Sequence, residues 1–183
     1  MKRICVFCGS HVGNDDSYVH MARAAAEAIV RAGYGIVYGG GSVGLMGIVA
    51  ETALVNGGEV IGVIPQALAR TEIAHEGLTE LHIVNTMHER KALMDDASDA
   101  FIALPGGFGT MDELCEVLSW RQLRILDKPI GVLNYRGYYD ALLELFDSMV
   151  REGFIGPHTR ALLSDAPTIE ELLAKMFESP NLA

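Results

Sequence analysis

Short, nearly all-apolar runs alternate with helical patterns from one end of this chain to the other, and few folds accept that order. Runs at 4–7, 36–38, 60–64, 81–84, 101–104 and 130–133 read as strands. Helical patterns are expected at 15–32, 43–56, 87–97, 110–123, 138–151 and 169–177. A short edge strand is expected at 162–163, and 65–80 reads as a loop with at most one helical turn. Strands separated by helices pair in parallel through right-handed crossovers. Strands that are apolar on both faces need helices on both sides. The expectation is an α/β fold: a Rossmann-like, doubly wound parallel sheet, with residues 1–183 forming a single nucleotide-binding domain. Ligands of such sheets sit beyond the carboxyl ends of the strands, so those ends are where chemistry is expected.

Composition narrows the partners. The formal net charge is −10, from 14 Lys and Arg against 24 Asp and Glu. That balance lacks the basic footprint needed for a phosphate backbone, so no nucleic acid and no membrane surface is expected as partner. No apolar run approaches the roughly 20 residues of a membrane span. The apolar stretch after Met1-Lys2-Arg3 reads as a strand rather than a signal-peptide core, and a cytoplasmic location is expected. Three cysteines, Cys5, Cys8 and Cys115, argue against a disulfide framework. Cys5 and Cys8 are spaced C-x-x-C, but residues three apart on a strand point to opposite faces. Cys5 is therefore expected in the core rather than in a redox or zinc pair.

Four strand ends carry unusual residues. Cys8-Gly9-Ser10 either lines a phosphate pocket or makes a plain strand-to-helix turn. Gly39-Gly40-Gly41-Ser42-Val43-Gly44 satisfies G-x-G-x-x-G before a helix, where backbone N–H groups can approach a phosphate. It follows the second strand, and the next strand ends at Ile64-Pro65 with no carboxylate, so NAD and FAD are discounted. The loop either contacts phosphate or makes a tight turn. Thr86 and Glu89 match a capping box, with Arg90 and Lys91 close behind. Cations near a helix N-terminus oppose its dipole. They either pair with a ligand anion or form a solvated basic pair. Finally, Pro105-Gly106-Gly107-Phe108-Gly109-Thr110-Met111-Asp112-Glu113 places three glycines and a threonine before a helix, a second anion site. Glu113, three residues after Thr110, either closes a capping box or faces a bound sugar, and Glu116 is read as solvent-facing or structural. The six histidines show no metal spacing, and neither a P-loop nor a G-x-S-x-G elbow is present, so no metal and no cofactor is expected.

These motifs together resemble the cytokinin riboside 5′-monophosphate phosphoribohydrolases, the LOG family, formerly labelled lysine decarboxylase-like. The signature P-G-G-x-G-T-x-x-E appears as Pro105–Glu113 and its companion M-H-x-R-K as Met87–Lys91. The likeness continues through the loop at 39–47, Val63-Ile64-Pro65, Lys128-Pro129 and residues 153–157. It implies an N-glycosidase that releases adenine or an N6-substituted adenine, a cytokinin, from its nucleoside 5′-monophosphate. It also implies Arg90 and Glu113 as the catalytic pair. Gly107, Gly109 and Thr110 would hold the phosphate within a substrate-binding run that includes Phe108, Met111 and Asp112. Gly40, Gly41, Ser42 and Gly44 would assist, and Glu72, Lys91 and Ser119 match substrate contacts. Family members are homodimers whose pockets draw on both subunits. Two positions depart from the family's habit: His11 stands where a serine is frequent, and Ser119 where a threonine is.

By that resemblance, Glu113 stabilises an oxocarbenium-like sugar, as a carboxylate does in glycoside hydrolysis. Arg90 either neutralises the leaving base or orients Glu113, and both roles stay open. Lysine decarboxylation finds no support, because a pyridoxal-phosphate enzyme needs a dedicated Schiff-base lysine and only Lys2, Lys91, Lys128 and Lys175 are present. The competing classes are a carrier of a phosphorylated cofactor, such as molybdenum cofactor, and a nucleotide sensor.

Overall fold

Among the described residues seven strands pair in one sheet, and every strand pairing is parallel. The computed structural model describes residues 1–69 and 74–177. Its first half runs β1 (Arg3–Phe7), α1 (Ser17–Arg31), β2 (Gly35–Tyr38), α2 (Gly44–Val55), β3 (Val60–Pro65), α3 (Gln66–Ala69) and β4 (Glu80–Val84). The second runs α4 (Met87–Asp96), β5 (Ala100–Ala103), α5 (Phe108–Gln122), β6 (Ile130–Leu133), α6 (Asp140–Arg151), α7 (Pro157–Arg160), β7 (Leu163–Ala166) and α8 (Ile169–Phe177). The spatial order is β4-β3-β2-β1-β5-β6-β7. Winding thus reverses between β1 and β5, and their carboxyl ends frame the crevice where such sheets bind ligands.

The apolar runs form the buried middle of the sheet. Every residue of β2, β3, β5 and β6 is buried, whereas β4 and β7 at the edges are only partly so. One face packs on α1, α2 and α8 through Ile4, Val6, Ile36 and Tyr38. The other packs on α4, α5 and α6 through Phe7, Val37, Val63 and Phe101. Cys5 joins the second cluster and Cys8 the first, so the C-x-x-C pair is split across the sheet as its spacing predicts. Burial pushes both thiols well above the ordinary cysteine range.

Differences from the expected elements have local causes. The helix expected at 138–151 begins at Asp140, because Arg136 (φ 55°) and Gly137 (φ 74°) adopt left-handed backbone in the turn before it. The helix expected at 110–123 begins at Phe108. The edge strand reaches Ala166, its polar Ser164 and Asp165 having hidden it. Four-residue α7 is too short to show a period. The single turn allowed in 65–80 is α3.

Candidate active site

Arg90 lies in the first turns of α4, and its helix is started by the expected cap. Thr86 accepts a hydrogen bond from the Glu89 N–H at 3.1 Å. The Glu89 carboxylate reaches back to the Asn85 N–H at 2.8 Å, one residue before the N-cap position of an ideal capping box. This start aims Arg90 inward rather than to solvent, and its side chain is buried. Its Nε donates to the Val63 carbonyl at 3.2 Å, at the carboxyl end of β3. Beyond β2, Gly39 lies so close to the guanidinium that any side chain there would collide with Nη2. The conflict with the helix dipole therefore marks a cation held between three elements, not a solvated basic pair.

Opposite it stands Glu113, also buried, with Oε1 at 3.3 Å from Arg90 Nη1. A capping box between Thr110 and Glu113 is not what forms. The helix N-cap is Gly107, which puts Thr110 inside the first turn, packed against Gly106 where no side chain fits. Glu113, one turn further on, faces Arg90. Lys91 turns the other way along α5 and pairs with Asp112 at 2.7 Å and Glu116 at 3.1 Å. Burial works against its ammonium, but the hydrogen bonds to Asp112 and Glu116 outweigh it and hold the pKa above the usual lysine value. Glu116 is thus structural, as expected.

At the winding reversal the structure opens a cleft of about 220 Å³. Gly9, Ser10 and His11 from the β1 end and Pro105, Gly106 and Gly107 from the β5 end line it, with Tyr138 and Leu45. Gly107 has no side chain to cap α5, so the N–H groups of its first turn remain open to an anion. Nothing lies near the missing side chains of Gly107 or Gly109. Phe108 between them is 96% exposed and Met111 half-buried. Along α5, Glu113 lies five residues beyond Phe108, a rise of about 7.5 Å at ~1.5 Å per residue.

Gly40, Gly41 and Ser42 are not among the residues that line this cleft, and neither are Arg90, Thr110 and Glu113, which stand beside it. Gly44 (φ 61°) packs directly on the backbone of Ser10 and His11, and the Leu45 N–H donates to the Gly9 carbonyl at 3.0 Å. The glycine loop thus supports the β1 end of the cleft from behind. Ser119 lies on another face of α5 from Glu113, on the rim of an apolar groove with Leu118, Phe146, Met149 and Ile155. Glu72 lies outside the described residues. Tyr138, which no motif marks, reaches the cleft from the turn before α6.

Comparisons with known proteins bear on the family and the fold. The family model described as "Possible lysine decarboxylase" matches residues 46–176. A "Probable cytokinin riboside 5′-monophosphate phosphoribohydrolase" of Oryza sativa subsp. japonica is 55% identical over 95% of this chain and 78% of its own. A cytokinin riboside 5′-monophosphate phosphoribohydrolase of Arabidopsis thaliana is 50% identical over 96% and 82%. Among solved structures, the molybdenum cofactor carrier protein of Chlamydomonas reinhardtii superimposes with a TM-score of 0.72 at 20% identity, over 97% of this chain and 98% of that one. The likeness to the carrier is one of fold. The lysines do not suit the decarboxylase description: Lys91 is ion-paired with its pKa raised, Lys128 is bound to Asp95, and Lys175 to the Asp165 carbonyl. By the family model and by the identity of its relatives over most of their length, the chain belongs to the LOG family of cytokinin riboside 5′-monophosphate phosphoribohydrolases.

Proposed function

We propose that this protein hydrolyses the N-glycosidic bond of adenosine 5′-monophosphates, N6-substituted ones included, and releases free base and ribose 5-phosphate. The observation that carries this reading is the buried Arg90–Glu113 pair, set one helical stretch away from the open N-terminus of α5. The phosphate binds the amides of Gly107, Gly109 and Thr110, and the sugar extends along α5 toward Glu113. The C1′–N9 bond breaks with its electron pair going to the base, which takes up a proton, while water oxygen bonds C1′ and loses one. Glu113 offsets the positive charge that develops on the sugar. Arg90 Nη1 stands 3.3 Å from Glu113 Oε1 while its Nε donates to the Val63 carbonyl, so in this reading it fixes the carboxylate in place. Carriage of a phosphorylated cofactor would give this buried pair no task.

The working unit in this reading is a homodimer in the cytoplasm. Ser119 sits on a face of α5 turned from Glu113, so its expected substrate contact requires a second copy. The strongly amphipathic α6 has no fully buried residue, and Phe154 near its end is 82% exposed, which supports an apolar cover over this side. Three free thiols, two of them buried, fit a reducing compartment. No helix among the described residues is long and apolar enough to cross a membrane. The direct test is chromatography after incubating purified protein with AMP or isopentenyladenosine monophosphate. Free base with an equal amount of ribose 5-phosphate is expected; intact nucleotide retained by the protein would favour a carrier or sensor.

A further inference from the structure

We infer that Tyr138 is a positioning residue for the phosphate subsite, holding the glycine loop after β5 so that its amides, not its carbonyls, face the anion. The inference rests on the reading of the β1–β5 cleft as the place where phosphate binds. An oxyanion is attracted by N–H groups and repelled by carbonyl oxygens, so a phosphate loop works only if its carbonyls are turned elsewhere. Here three consecutive carbonyls are each taken by a donor from another segment. The Tyr139 hydroxyl donates to Leu104 O at 2.6 Å, the Gly9 N–H to Pro105 O at 3.2 Å, and the Tyr138 hydroxyl to Gly106 O at 2.6 Å. The last bond acts on the peptide that matters most. Within one planar trans peptide, C=O and N–H point in opposite directions. Holding the Gly106 carbonyl therefore also fixes the Gly107 N–H, beside the open first turn of α5.

The turn before α6 is built to deliver both tyrosines. Asn134 accepts from the Tyr139 N–H at 2.8 Å and donates to Asp140 at 2.7 Å. Arg136 takes a left-handed conformation, φ 55°, and pairs with Asp15 at 2.9 Å, tying the turn to the segment leading into α1. Tyr138 stands edge-on to Tyr18 at 6.2 Å and to Tyr139 at 5.0 Å between ring centroids. Those contacts fix the ring, and the ring places the hydroxyl.

Tyr138→Phe in the full-length protein separates the two parts, because it keeps the ring packing and removes only the hydroxyl. The expected result is a KM for isopentenyladenosine monophosphate raised about five- to tenfold, with kcat and melting temperature unchanged. Calorimetry should show affinity for ribose 5-phosphate lowered by a similar factor. Unchanged KM and unchanged ribose 5-phosphate affinity would overturn the inference, leaving Tyr138 a packing residue. So would a fall in kcat together with the melting temperature. If the unaltered protein releases no base, the functional reading fails by itself, and the calorimetric comparison still decides the role of Tyr138. An unaltered protein that does not bind ribose 5-phosphate contradicts both.

Discussion

Arg90 was legible in the sequence because it breaks a local rule. A cation in the first turns of a helix opposes the dipole, and the structure shows what compensates: Val63 O, Glu113 and the bare backbone of Gly39. Glu113 was harder to read. Its spacing from Thr110 fits a capping box, and only the actual helix start at Phe108 shows its carboxylate turned to Arg90 instead. Tyr38 presents a different case, a hydroxyl buried in the cluster under α1 and α2 with no hydrogen-bond partner among the described residues. A buried hydroxyl left in that state costs free energy. Tyr38→Phe is therefore expected to raise the unfolding free energy by about 1 kcal/mol in urea titrations; a clear loss of stability would show that the hydroxyl has a partner.

At the scale of elements, periodicity located nearly every strand and helix, and it failed where backbone conformation or brevity decides. The turn at 134–139 is one such place. Arg136 has no sequence signature for positive φ, so Tyr138 and Tyr139 looked like the start of a helix rather than the clamp on the β5 loop. The start of β1 shows charge joining elements: Arg3 meets Glu59, just before β3, with Nε to Oε2 at 2.7 Å. The hydrogen bond from Arg3 holds the Glu59 carboxyl below its usual range. A depressed carboxylate pKa contributes stability that is present above the unfolded value, about 4.3 for glutamate, and is lost as pH falls through the folded one. Urea midpoints measured from neutrality down through that window should fall less steeply for Glu59→Gln than for the unaltered protein. Equal slopes would show that the pair adds nothing to acid sensitivity.

For the molecule as a whole, alternating runs sufficed to expect a doubly wound sheet, and the order β4-β3-β2-β1-β5-β6-β7 then fixes where the ligand belongs. Long-range geometry was beyond reach of spacing. Nothing in the sequence says that Gly44 of the first glycine loop packs on the β1 end of the cleft, or that Ser119 faces an apolar groove away from Glu113. Both follow from how α2 and α5 lie on the sheet. The account centres on one pair, Arg90 and Glu113, as the machinery that breaks the glycosidic bond. Its most direct test is the rate of free-base release from isopentenyladenosine monophosphate by Glu113→Gln, with Arg90→Ala beside it and circular dichroism confirming the fold. The expected result is a loss of kcat of about a thousandfold or more in each folded variant. Base release at the unaltered rate by either folded variant would contradict the assignment.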